Sequence, residues 1–140
     1  MKKLVLFYAV LALLGCKNEP VSEEQLDNLN GYWEISEVIF PDGSKKNYTI
    51  NPSIDFIQLE NKQGFRKKVR PKFNGTYETS HDVELLKVVE GETFFIFQYS
   101  NEFSEWEETL VQLDSMSFSV RNNEGILYSY KRFEPISIPK

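Results

Sequence analysis

Between residues 32 and 133 the chain falls into short runs in which apolar and polar residues take turns. A period of two places every second side chain on one face of a strand. The runs predict strands over 32–40, 54–60, 65–72, 75–79, 83–90, 93–100, 107–113, 116–121 and 126–133. Turn chemistry separates them at Pro41-Asp42-Gly43-Ser44, Asn61-Lys62-Gln63-Gly64, Glu90-Gly91-Glu92, Asp114-Ser115 and Asn122-Asn123-Glu124-Gly125. Ile54 and Phe56 share one face of their strand, and Ile57 and Leu59 the other. Met116, Phe118 and Val120 stand opposite serines. Ile126, Tyr128, Tyr130 and Arg132 share one side of the last strand. In 93–100 both faces are apolar, with Phe94 and Ile96 on one and Phe95, Phe97 and Tyr99 on the other. Such a strand is covered twice, by a neighbouring element, a partner or a lipid surface.

Eight or nine antiparallel strands with tight connections must hide their edges, and closing into a ring hides them completely. The expected fold is all-β, an antiparallel up-and-down β-barrel of about eight strands, with a sandwich as the competing solution. A barrel of this size has an interior that side chains can fill, or that can hold one small ligand.

The first residues follow another pattern. Lys2 and Lys3 precede an apolar run over 4–15, and Cys16 follows it. The run is shorter than the ~20 residues a spanning helix needs, and it reads as a secretory signal peptide. Leu13-Leu14-Gly15-Cys16 resembles the bacterial lipobox, although Leu14 is a less usual choice at its position. The resemblance implies a diacylglyceryl group on the Cys16 thiol, cleavage before Cys16 and acylation of its new amine. Two or more acyl chains anchor a protein stably without spanning the bilayer. A secreted protein with a chance thiol, or an N-terminal single-pass anchor, are the alternatives. With Lys17 and not aspartate after the cysteine, the sorting rule of that class implies the bacterial outer membrane, facing the periplasm. The chain then divides into a signal over 1–15, a lipidated cysteine and polar tether over 16–28, a barrel domain over 29–133 and a tail over 134–140. One short helical turn near 22–27 is expected in the tether.

Composition narrows the picture. The only alanines, Ala9 and Ala12, lie in the leader, so the rest lacks the best helix former. Aromatic and β-branched residues, which suit strands, are plentiful instead. Once Lys2 and Lys3 are set aside from the 16 basic residues, 14 remain against 21 acidic ones. That balance argues against nucleic acid as a partner. Cys16 is the sole cysteine, which excludes an internal disulfide or a cysteine-built zinc site.

The barrel domain opens with Leu29-Asn30-Gly31-Tyr32-Trp33 and closes with Tyr128-Ser129-Tyr130-Lys131-Arg132. Gly-x-Trp at the head of the first strand and an arginine on the last resemble the lipocalins. Gly75-Thr76-Tyr77 resembles a strand opening in small bacterial lipocalin-like lipoproteins. The likeness covers about residues 29–133. It implies that Arg132 packs across Trp33 to close one barrel end. The tail over 134–140 is expected to carry no helix of the kind lipocalins place after the barrel, and a small pocket is expected with it.

On that resemblance the barrel lining would be Trp33, Tyr77, Phe118, Tyr128 and Tyr130, with Arg132 as floor residue or counter-charge. These would face a small hydrophobic or amphipathic ligand; a barrel filled by its own side chains is the other reading. Arg66, Lys67, Lys68, Arg70 and Lys72 form a basic stretch. It would bind an anionic headgroup or glycan, or serve as a solvated edge opposite Glu102, Glu105, Glu107 and Glu108. Enzyme signals are thin. His81 is the only histidine and sits beside Asp82, with no Gly-x-Ser-x-Gly elbow and no Gly-rich phosphate loop. No cofactor or metal is expected. Two functions remain: a membrane-anchored ligand-binding lipoprotein, or a structural or protein-interaction lipoprotein of the envelope with a filled barrel.

Overall fold

The computed structural model describes residues 20–135, so Cys16 and the leader lie outside the described residues. A 3-10 helix, Glu23–Leu29, is followed by nine strands: β1 (Gly31–Ile39), β2 (Lys45–Asn47), β3 (Ile54–Glu60), β4 (Gln63–Pro71), β5 (Tyr77–Glu90), β6 (Phe95–Ser100), β7 (Glu105–Leu113), β8 (Ser117–Asn122) and β9 (Leu127–Arg132). All pairings are antiparallel, and β9 returns to pair with β1. The ring β1-β3-β4-β5-β6-β7-β8-β9 is therefore a closed eight-stranded barrel. β2 lies outside the count, paired only with the upper half of β1 at Glu37–Ile39.

Register and alternation decide which residues meet inside. Trp33 is opposite Asp55 and Arg132, so these share the inner face with Ile57, Leu59, Tyr130 and Tyr128. Phe97 is opposite Val88 and Glu108, which brings Leu86, Tyr99, Leu110 and Trp106 inward too. Phe118 and Val120 complete the lining. Their serine neighbours face out, where the hydroxyls of Ser119 and Ser129 meet at 3.0 Å across β8 and β9.

Local sequence explains the corners. Asn61 and Lys62 have φ of 53° and 63°, the left-handed pair a two-residue β3–β4 turn requires. In β5 three residues, Ser80, His81 and Asp82, stand opposite the single Lys68 of β4. This bulge lets 75–79 and 83–90, which read as two strands, run as one. His81 is exposed on it. Beyond the bulge the β4–β5 hairpin leans on the outer wall: Tyr77 stacks on Tyr32 at 4.2 Å between ring centroids. Tyr32 in turn meets Phe56, and Phe56 meets Phe65. The outer wall thus carries its own aromatic row.

The 3-10 helix belongs to the barrel. Ser22 caps it together with Gln25. Leu26 and Leu29 are buried in the core cluster with Trp33, Phe97 and Leu110. Residues 23–28, read as tether, therefore pack as the floor of the domain.

Candidate functional site

The floor is built around Arg132. Its Cζ lies 3.8 Å from the centroid of the Trp33 ring. Its nitrogens donate to the carbonyls of Asn28 at 2.7 Å, Asn30 at 2.8 Å and Ser115 at 3.0 Å. The indole Nε1 of Trp33 donates to the carbonyl of Leu29 at 2.8 Å. These bonds tie the 3-10 helix, the β7–β8 turn and the ends of β1 and β9 into one plate. Gly31 is required there: its φ is 122°, and an added Cβ would lie 2.7 Å from Nη1 of Arg132.

Above the floor comes a plug. Phe118 meets Trp33 edge-on at 4.7 Å and stacks on Tyr130 at 4.7 Å. Trp33, Phe97, Phe118, Val88, Leu110 and Leu113 are all buried. Side chains fill this half of the lumen.

The upper half is chemically different. Arg66 reaches inward from β4, and its Nε donates to Oε2 of Glu84 on β5 at 2.6 Å. Nη1 of Arg66 lies 3.2 Å from the Tyr99 hydroxyl and 3.8 Å from Oε1 of Glu108. The guanidinium also sits over the Tyr99 ring at 4.2 Å, and Tyr99 stacks on Trp106 at 5.4 Å. Asp55 is buried, with the Lys68 ammonium 2.7 Å from its Oδ1. That contact is an ion pair, since the Oδ1 atom accepts no well-aimed hydrogen bond. Solvent reaches this level: the side chains of Arg66 and Glu84 are 16% and 31% exposed, and Trp106 and Tyr128 are half-buried.

Burial sets the electrostatics of this half. It pushes the Glu108 carboxyl above its ordinary value; Arg66 opposes the shift, and Glu84 and Asp55 add to it. Burial also raises the hydroxyls of Tyr99 and Tyr130, which are neutral at physiological pH. For Arg66 burial works against the charge, and the tyrosine and carboxylate groups around it outweigh that. Among the described residues, no group of three histidine, cysteine or acidic side chains is arranged to hold a metal ion.

The residues singled out from the sequence divide three ways. Trp33, Phe118, Tyr130 and Arg132 do meet inside the barrel, but as floor and plug, packed against one another. Arg132 spends its donors on backbone carbonyls, so it is a floor residue and not a free counter-charge. Tyr128 stands higher, half-buried at the mouth. Tyr77 does not belong with them: it lies on the outer wall against Tyr32 and near Phe133. Alternation along β5 puts it there, on the face of Thr79, Val83 and Leu85 and opposite inward Leu86 and Val88, because the bulge adds two residues and keeps the period. The basic stretch also splits. Arg66 enters the lumen, Lys67 lies over the outer rings of Phe56 and Phe65, and Lys68 pairs with Asp55. It is therefore not one solvated edge.

Sequence reading missed Asp55, Glu84, Tyr99, Trp106 and Glu108 as one group. Their alternation was legible, since each sits at an inward position of its strand. A charged residue at an inward position was the available signal.

A groove of about 780 Å³ runs along β5, β6 and β7, lined by Leu85, Lys87, Gln98 and Glu107 together with Tyr99 and Trp106 of the upper lumen. A more apolar groove of about 370 Å³ lies between Ile50, Pro52, Phe73, Tyr77 and Phe133. Phe94 lies at a small cleft with Val21, Phe95 and Leu110, so the chain's own N-terminal segment borders that side of the strand.

No family model matches this chain, and no curated protein matches it in sequence. In structure it is similar to a lipocalin-like protein from Bacteroides uniformis ATCC 8492. The TM-score is 0.50 and the identity 11%, over 76% of this chain and 99% of that one. At that identity the likeness speaks to the fold alone, and the fold is a lipocalin-like barrel.

Proposed function

We propose that this protein is a lipid-anchored binding protein of the bacterial envelope that holds a small amphipathic molecule at the mouth of its barrel. One observation carries the reading: above an apolar plug sits a layer of charged and aromatic groups in which Arg66, Glu84 and Trp106 reach solvent and Tyr99 and Glu108 are buried beneath them. Buried ion pairs seldom add stability over apolar packing, so their presence in a lumen points to use. The filled lower half limits the ligand to a compact one. The lipobox-like Leu13-Leu14-Gly15-Cys16 supports attachment to the membrane, with the outer membrane facing the periplasm as the location.

A second reading has its own observation. Ile50 and Phe73 are 88% and 85% exposed at the rim of the outer apolar groove, as a protein-interaction surface would be. Native mass spectrometry of the protein purified from its own host separates the two. A small molecule that co-purifies, and is lost on Trp106→Leu, supports the mouth. A bare mass together with a retained protein partner supports the outer surface instead.

A further inference from the structure

The geometry points to a compact organic cation or amine as the occupant of the barrel mouth, its positive group against Glu108 and its apolar body against Trp106 and Tyr128. This rests on the ligand-binding reading above and narrows it to a class.

The argument begins with a count. Five charged side chains serve the upper lumen: Arg66 and Lys68 against Asp55, Glu84 and Glu108. Two of the carboxylates are taken. Arg66 holds Glu84 through both Nε and Nη2, and Lys68 neutralises Asp55. Glu108 is left over. It is 8% exposed, its Oε1 has no hydrogen-bond partner, and its nearest cation, Nη1 of Arg66, stays 3.8 Å away. Leaving a buried acceptor unsatisfied costs about 1–3 kcal/mol, and more for a charged one. A proton, or a hydrogen-bond donor reaching Oε1, removes that cost, and a cationic N–H donor also supplies the missing charge.

The surroundings choose between ligand charges. An anion would meet a surplus carboxylate, while the Arg66 donors already serve Glu84 and Tyr99. A cation would compensate the surplus. It would also find aromatic faces, which attract positive charge within about 6 Å of a ring centroid. Arg66 covers the Tyr99 ring, so the half-buried rings of Trp106 and Tyr128 are the ones left. A long acyl chain has no place, because Phe97, Phe118 and Tyr130 fill the level below.

Three probes of matched shape test this on the mature chain: phenethylamine, phenethyl alcohol and 3-phenylpropionate. Their binding is followed by calorimetry and by Trp106 emission at pH 7.5, Trp33 being sealed in the floor. The amine is expected to bind at least tenfold tighter than the propionate, with the alcohol between them. Glu108→Gln should weaken the amine tenfold or more and leave the propionate unchanged or tighter. Trp106→Leu should weaken all three, and a urea melt of each variant verifies the fold. If the alcohol or propionate binds as well as the amine, or Glu108→Gln leaves the amine untouched, the cation class is wrong and the mouth remains a binding site. If no probe binds but the host protein carries a small non-cationic molecule, the class is again overturned. If no probe binds and nothing co-purifies, the ligand-binding reading itself falls.

Discussion

Glu108 is the residue whose burial is least explained by packing. Its carboxyl titrates above the ordinary value of 4.5 because burial penalises the charged form more than Arg66 favours it. Between 4.5 and that raised value the folded protein binds a proton that the unfolded chain has lost. Stability contributed by this group is therefore complete in acid and declines as pH rises through the folded-state titration. Glu108→Gln keeps the shape and removes the charge. The variant should melt at the wild-type temperature near pH 4 and a few degrees above it at pH 8, by calorimetry. Equal melting temperatures at both pH values would mean that Glu108 is adequately paired in the folded state. A destabilising charge kept in a lumen is what a binding site shows when activity and stability compete.

Among the elements, the 3-10 helix and the end of β9 depend on one side chain. Arg132 offers a planar fork to three carbonyls and a flat face to Trp33, and lysine can reproduce neither. Arg132→Lys should cost about 2 kcal/mol, the scale of one or two charge-assisted hydrogen bonds, measured by urea unfolding. Protease nicking should then begin in the helix, since its carbonyl partners are released first. The pairing of Gly-x-Trp with a terminal-strand arginine made this plate legible in the sequence, and strand alternation gave Phe118, Val120, Tyr128 and Tyr130 their correct face. The helix itself was half-visible: Ser22 marked its start, but a polar EEQLDNL segment hid that Leu26 and Leu29 are its buried face. β2 left no trace, because Lys45, Lys46 and Asn47 are all exposed and carry no alternation. Tyr77 was misplaced because the sequence broke β5 into two strands: the bulge adds two residues and keeps the alternation, so Tyr77 shares the outward face of Thr79, Val83 and Leu85, opposite Leu86 and Val88.

At the scale of the whole molecule, the two ends of the barrel differ in what they can reach. The chain enters at the floor: Glu23, the first residue of the helix, pairs with Lys62 of the β3–β4 turn at 2.7 Å. Glu23 lies seven residues after Cys16, a reach of about 25 Å at most when fully extended. With a lipid on Cys16, the floor turns would stay close to the bilayer, and the mouth, at the opposite end of every strand, would face the aqueous side. Two measurements check this. Cys16→Ser should leave the precursor uncut and free of radioactive fatty acid. With Cys16 acylated, a cysteine introduced elsewhere is the only free thiol, so single environment-sensitive labels are clean. A label at Met116→Cys, in the β7–β8 turn of the floor, should be quenched by spin-labelled lipids in vesicles. The same label at Asn123→Cys, in the β8–β9 turn of the mouth, should not. The reverse pattern would place the mouth against the membrane and make the ligand a lipid headgroup in place of a solute. Equal quenching would mean that the domain tumbles freely on its tether, with neither end presented.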